Sequence, residues 1–320
     1  MSALIEARGL TVAYESQGRR AIALDGADLT LGRDESLALV GESGSGKTTL
    51  GMAIGRLLPR QARREAGDLR IEGRSVFGAA EAELRALRRD KLGFVFQNPM
   101  TALDPTMRVG RQVALALGRG GGVRDLLARV ELADADRVMR SFPHQLSGGM
   151  AQRVVIAMAI ARQPLAVVAD EPTASLDASV RDRVMATLSR LRAETKTSLV
   201  ILSHDLRMVA HHARRVAVMY GGRPVEMGEV SRVLANPAHP YTRALLRADA
   251  GGRSPGARLE PIPGAPPVLG ASATFCAFAP RCPMRQAPCD GTRPELRAVE
   301  GRLVACHFAE AALAEAEASR

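Results

Sequence analysis

A lysine set inside a glycine-rich turn is the most chemically pointed feature of the sequence. Gly41-Glu42-Ser43-Gly44-Ser45-Gly46-Lys47-Thr48 follows the apolar run SLALV and opens a stretch of helical character. The spacing G-x-x-x-x-G-K-[ST] in that context is a phosphate-binding pattern. Its glycines let backbone N–H groups curl around phosphate oxygens, and the helix N-terminus adds a favourable dipole. Lys47 is placed to reach β- and γ-phosphates, the Thr48 hydroxyl to hold Mg²⁺, and Thr49 completes the set. A partner for the magnesium is expected at the end of another buried strand. Leu165 to Ala169 run into Asp170-Glu171, so Asp170 is assigned to the metal through water. Glu171 is assigned to the attacking water, which a carboxylate beside a γ-phosphate orients and deprotonates. Alone, such an acid pair also reads as the N-terminus of a helix; the phosphate loop is what gives it a function.

Elements able to position these groups follow from the hydrophobic pattern. Residues 1 to 40 read as strands, with Leu24, Ala27, Leu29 and Leu31 alternating before SLALVG. Residues 78 to 90 read as a helix and KLGFVFQ (91 to 97) as a strand, followed by the polar connection NPMTALDPTMRVG. A helical region over 110 to 140, interrupted by Gly118 to Gly122, precedes a long helix from about 150 and the buried strand LAVVAD. A helix (179 to 194), the strand SLVILS, a helix (205 to 213) and the strand RVAVMY complete an alternation that predicts a parallel sheet with helices on both faces. Near 251 the composition shifts. Residues 251 to 270 are too rich in Gly and Pro for helix or central strand and read as an extended connector, with a separate small unit beyond it.

Composition bounds the function classes. The 320 residues carry 44 Lys+Arg against 34 Asp+Glu, a net charge of +10, with 46% hydrophobic and 24% charged residues, which excludes disorder throughout. The longest apolar run, Val154 to Ala161, is far short of the roughly 18 to 20 residues that span a bilayer. MSALIEARGL has no secretory pattern, so a cytoplasmic location is expected. A basic surplus raises the question of a nucleic-acid partner. The arginines, however, are spread along the chain, aromatics are 3% and Trp is absent, so a stacking platform is poorly supplied and no nucleic-acid partner is expected. The surplus reads instead as a general preference for Arg, since Lys47, Lys91 and Lys196 are the only lysines.

Further motifs resemble those of ABC ATPases. Leu146-Ser147-Gly148-Gly149-Met150-Ala151-Gln152-Arg153, which ends 17 residues ahead of Asp170, is similar to the signature motif. Gln97 resembles the Q-loop, Ser175-Leu176-Asp177 the D-loop, His204 the switch histidine and Tyr14 the aromatic that stacks on adenine. Tyr14 also reads as a core residue of a strand. The resemblance implies a P-loop NTPase core over 1–235, with a parallel sheet, an antiparallel β subdomain and a helical subdomain at about 98–153. It implies ATP and Mg²⁺ as cofactors, Gln97 sensing Mg²⁺ or water, and His204 contacting the γ-phosphate. It further implies a head-to-tail dimer in which Ser147, Gly148 and Gly149 of one domain face ATP held by the other.

Residues 236–320 narrow the resemblance. NPAHPYTR (236 to 243), Pro261-Ile262-Pro263-Gly264 and FAPRCP (278 to 283) are similar to the tail of peptide-importer ATPases, a group that includes nickel and metal-chelate importers. That implies two transmembrane permeases, a second ATPase subunit in a heterodimer, an extracytoplasmic solute-binding protein, and a peripheral place on the cytoplasmic face of the membrane. Residues 98 to 110 would receive the permease. Cys276, Cys282, Cys289 and Cys306 are the only cysteines, spaced C-x5-C-x6-C-x16-C. Metal binding is the better reading of such a cluster in a reducing compartment. Tight zinc knuckles are absent, while Cys₄ ligation of an iron–sulfur cluster tolerates wider loops. The resemblance implies a [4Fe–4S] cluster, with zinc or free thiols as the alternatives.

Overall fold

The computed structural model describes residues 3–16, 18–118, 122–174, 176–248 and 261–318. Alternating apolar positions make the first stretch sheet-forming. β1 (Ile5–Ser16) and β2 (Arg19–Leu31) pair antiparallel, with Ile5 opposite Leu31 and Tyr14 opposite Ala21. Leu10 and Val12 of β1 and Leu24, Ala27, Leu29 and Leu31 of β2 are buried on the shared face. The uninterrupted apolar run forms β3 (Ser36–Val40), buried along its whole length as a strand covered on both faces must be. Then come α1 (Lys47–Ile54), β4 (Ala62–Ile71) and β5 (Arg74–Ser75), and β4 joins β1 to give the antiparallel order β2-β1-β4-β5.

The middle of the chain alternates as its pattern predicts: α2 (Glu81–Asp90), β6 (Leu92–Val95), α3 (Pro99–Ala102), α4 (Val109–Leu117), α5 (Val123–Arg129), α6 (Ala135–Arg140), α7 (Gly148–Ile160), β7 (Ala166–Asp170), α8 (Ala178–Thr195) and β8 (Ser198–Ser203). β6, β7 and β8 are parallel neighbours, with Leu92 opposite Ala166 and Ala166 opposite Ser198. α7 buries Val154, Val155, Ile156, Ala157 and Ile160, and α3, α4, α5 and α8 pack against it. The connection after Gln97, expected to be irregular, holds the short α3. Asn98 caps it by accepting the Met100 N–H at 3.0 Å, and Pro99 fills the first helical position. Residues 119–121 of the glycine run lie outside the described residues; on its two sides α4 stops at Gly118 and α5 starts after Gly122.

The last third comprises α9 (Leu206–Ala210), β9 (Arg215–Tyr220), β10 (Arg223–Glu229), α10 (Val230–Ala235), α11 (Pro240–Ala248), α12 (Pro288–Gly291), β11 (Arg297–Val299), β12 (Arg302–Val304) and α13 (Ala309–Ala318). β9 runs parallel to β3, β10 antiparallel to β9, and β12 antiparallel to β10. Glu300 and Gly301 both have positive φ, the geometry of a two-residue hairpin turn, and link β11 to β12.

The chain divides into two compact units. One comprises Met1–Leu31, Leu37–Gly78 and Ser203–Arg320; the other comprises Gly32–Ser36 and Ala79–Leu202. The tail belongs to the same unit as the first sheet. The reason is polar as well as apolar. Ile22 of β2 donates its N–H to Leu269 at 2.7 Å, Arg293 pairs with buried Asp25 at 3.0 Å, and Arg302 meets fully buried Glu226 at 3.5 Å. Glu226 also accepts the N–H groups of Ala238 and His239 at 2.9 and 3.0 Å, and burial still raises its pKa. Residues 251–260 of the expected connector lie outside the described residues.

Candidate functional site

The phosphate loop is built by close packing that excludes side chains from two of its glycines. Gly41 has φ +151° and a β-carbon there would lie 2.3 Å from the Met219 carbonyl oxygen; Gly46, at φ +100°, would come within 2.5 Å of the Ala23 oxygen. Gly46 caps α1 in this left-handed conformation, which other residues adopt only with strain. Ser43, Gly44 and Thr48 are exposed, whereas Ser45, Lys47 and Thr49 are buried. Lys47, only 7% exposed, donates from Nζ to the carbonyls of Gly41 at 2.7 Å and Glu42 at 2.9 Å, and reaches Ser45 Oγ at 3.5 Å. The loop thus folds around a cation, as an anion-binding turn should. Tyr14 is half-buried and its Oη is hydrogen-bonded to Thr49 Oγ1 at 3.3 Å, which fixes the ring beside α1.

In the other unit, Asp170 ends β7 and is buried. Glu171 follows at φ +45°, and its N–H donates to Leu202 at 2.9 Å. A left-handed glutamate is a local strain of the kind that gathers at functional sites. Gln97 is exposed just past β6. Ser147 caps α7 by accepting the Met150 N–H at 3.3 Å, so the helix starts at Gly148, two residues earlier than its apolar pattern suggests. Asp177 caps α8, accepting the Val180 N–H at 3.0 Å and the Ser179 hydroxyl at 2.9 Å; these bonds, the backbone one foremost, hold its pKa below the ordinary range. The residues beside these two caps meet: a β-carbon on Gly148 would lie 3.5 Å from Leu176 Cδ2. Ser175 lies outside the described residues. His204, exposed, follows β8 and precedes the α9 cap Asp205.

The four cysteines are free thiols. The Cys276 N–H donates to Cys289 at 2.9 Å, and the Phe308 N–H reaches Cys306 Sγ at 3.4 Å. Burial pushes the Cys282 and Cys306 thiols up to about 11, and Cys306 also feels the charge of Cys276, Cys282 and Cys289. All four lie within the 31 residues from Cys276 to Cys306. Among the described residues no group of three or more His, Cys, Asp or Glu is placed to hold a metal, so the expected iron–sulfur cluster has no gathered ligand set here. Cys289 is buried, Cys276, Cys282 and Cys306 are half-buried, and none of the four is bridged.

Sequence reasoning gave no role to two residues that the structure places on the phosphate loop. Tyr241 Oη accepts the Glu42 N–H at 2.8 Å, and Arg281 grips the Glu42 carboxylate with two hydrogen bonds. Both lie in the motifs NPAHPYTR and FAPRCP, which gave a signal of kind but none of contact.

Residues 24–174 match the family model for the ABC transporter, and residues 225–289 match that for the oligopeptide/dipeptide transporter, C-terminal region. The chain is 38% identical over 312 residues to the oligopeptide transport ATP-binding protein OppD of Salmonella typhimurium, covering 95% of this chain and 93% of that one. The chain belongs to the ABC transporter ATP-binding subunits of the oligopeptide/dipeptide group. A peptide import ATP-binding protein of Brucella abortus is likewise 38% identical, over 95% of this ATPase and 94% of the relative. Among solved structures, the ATP-binding cassette MJ0796, a dimer in a post-hydrolysis state with ADP and phosphate, aligns with TM-score 0.63 and 30% identity, covering 71% of this chain and 98% of that one. The protein cbiO1 of Clostridium perfringens, part of the ABC transporter complex cbiONQ, aligns with TM-score 0.63 and 25% identity over 73% of this chain and 92% of that one. The ATPase thus has the ABC cassette fold, and ATP hydrolysis is its activity. No helix among its described residues is long and apolar enough to cross a membrane.

Proposed function

We propose that this ATPase drives the import of di- and oligopeptides. The observation that carries the reading is that likeness to peptide-import ATPases runs through the tail as well as the cassette, over 95% of the chain. In the mechanism we propose, Gly41, Ser43, Gly44, Ser45, Gly46, Lys47 and Thr49 hold the ATP phosphates, with Tyr14 against the adenine. Thr48 and Asp170, with Gln97, would hold Mg²⁺, which when bound would neutralise charge on the phosphates. Glu171 takes the proton of the attacking water and His204 keeps that water in line. Ser147, Gly148 and Gly149 offer backbone N–H groups, a hydroxyl and a helix N-terminus to the γ-phosphate bound by a second domain, with Asp177 lining the same contact. ATP binding closes the pair and hydrolysis reopens it.

The working assembly in this reading has two permeases, a second ATPase that makes a heterodimer, and an extracytoplasmic binding protein, with the ATPase peripheral on the cytoplasmic face. Cys276, Cys282, Cys289 and Cys306 would hold a [4Fe–4S] cluster, zinc being the alternative; that all the chain's cysteines fall in one short tail segment is what supports the assignment. Such a group would cross-link the loops from Cys276 to Cys306.

The test is reconstitution of the ATPase with its permeases in proteoliposomes. Stimulation of hydrolysis by peptide-loaded binding protein, with peptide accumulating inside, is the expected outcome. Stimulation only by a nickel chelate would reassign the solute, and salt-sensitive nucleic-acid binding with no response to permeases would overturn the transport reading.

A further inference from the structure

Glu42 is the second residue of the phosphate loop, and the tail engages both its backbone and its side chain. Besides the Tyr241 contact to its N–H, its Oε2 accepts from Arg281 Nη1 at 2.8 Å and its Oε1 from Arg281 Nη2 at 3.0 Å. The Arg281 side chain is 4% exposed and that of Glu42 24%. Arg281 is held from behind as well. Its Nε donates to the Pro263 carbonyl at 2.8 Å, Nη2 reaches Ile262 at 3.3 Å and Nη1 the Tyr220 hydroxyl at 3.3 Å, and the guanidinium lies 5.8 Å from the Tyr220 ring centroid. A fork whose every arm is engaged keeps one geometry, unlike an exposed ion pair that samples many.

We propose that Arg281 is a positioning residue for ATP: by neutralising and fixing Glu42, it lets the phosphate loop present amide N–H groups to the nucleotide without an opposing carboxylate. The inference rests on the assignment of this loop to ATP. Its physical basis is that a loop built to receive the several negative charges of a triphosphate carries an acid at its second position. An unpaired carboxylate there would repel the phosphates at short range in a partly buried setting, where charge is weakly screened. A displaced Glu42 would also disturb Lys47, because the Glu42 carbonyl is one of the acceptors of its Nζ. Arg281 immediately precedes Cys282 and takes its backbone acceptors from Ile262 and Pro263, so the contact is where the cysteine-bearing tail touches the nucleotide loop.

The test uses the full-length ATPase and a fluorescent ATP analogue for Kd, with steady-state hydrolysis for KM and kcat. Arg281→Met is expected to raise Kd and KM roughly tenfold to a hundredfold while kcat at saturation changes less than about threefold. The loss should shrink as salt is added. Adding Glu42→Gln to Arg281→Met should recover most of the affinity, because no charge is left to repel; a purely structural role of Arg281 would leave the double variant as weak as the single. Unchanged KM in Arg281→Met, or no recovery in the double variant, overturns the proposal. If Arg281→Met fails to fold, Arg281→Gln decides: a rise in KM at nearly constant kcat supports the role, and none overturns it. Wild-type protein that binds no ATP would instead overturn the loop assignment itself.

Discussion

Gly149 faces Val180 so closely that a β-carbon on Gly149 would stand 2.5 Å from Val180 Cγ1. The N-terminal turns of α7 and α8 are therefore wedged against each other at a point that admits no side chain. Gly149→Ala is expected to destabilise the protein by about 1–3 kcal/mol through overpacking. Val180→Ala in the same chain should return the chemical-denaturation midpoint close to wild type. If Gly149 also contacts ATP across a dimer, the double variant stays poor in hydrolysis although it is stable. A single variant that unfolds at the wild-type midpoint would show that the two helices are not in contact there.

Glu171→Gln separates binding from chemistry. It should keep ATP affinity and lower turnover by at least about a hundredfold, the contribution of a positioned general base. An ATP-dependent dimer should accumulate on size exclusion. Turnover near that of wild type would remove Glu171 from the mechanism.

His239 gives the tail a pH limit. It is fully buried, its Nδ1 accepts the Tyr241 N–H at 3.0 Å, and burial lowers its pKa from 6.5 to about 3. As pH falls below 6.5 the unfolded chain takes up a proton that the folded chain refuses, so stability is full above that pH and is lost on acidification towards 3. Between pH 7.5 and 5.5 the loss from this one group is about 1.4 kcal/mol. His239→Gln should be weaker at pH 7.5 but lack that share of the slope, as read from denaturation midpoints at several pH values. Parallel pH profiles for the two proteins would mean that His239 titrates normally.

The cysteine assignment is tested by metal content. Anaerobically purified protein should carry about four irons per chain and a broad absorption near about 400 nm that dithionite bleaches. Cys289→Ser should lose both and melt at lower temperature. One zinc in colourless protein would select the alternative, and protein free of either metal would leave four structural thiols.

The phosphate loop and the Asp170-Glu171 pair were legible because their chemistry is local: contiguous residues at fixed spacing, next to apolar runs that could only be buried strands. β3, β7 and β8 were legible for the same reason. The short α3 was missed although Asn98-Pro99 is a cap followed by an N1 proline, because its four residues show no period. The strand pairing within the tail was not legible, for a physical cause. β11 and β12 have three residues each, too few to alternate, and their pairing is decided by tertiary partners such as Glu226 and Arg302. Arg281 and Glu42 lie 239 positions apart, and no pattern in one chain predicts such a pair.

The pairing of β12 with β10 also fixes a schedule for biosynthesis. β10 ends at Glu229 and the strand that closes its free edge ends at Val304. At ribosomal speeds of about 5–20 residues per second, those intervening residues take about 4–15 s to make. For that interval a buried-type strand containing Val225 and Met227 has an open row of backbone donors and acceptors, a template for pairing with another nascent chain. The last strand thus doubles as a shield, and a message truncated after β10 should yield a protein that clumps before it can misfunction.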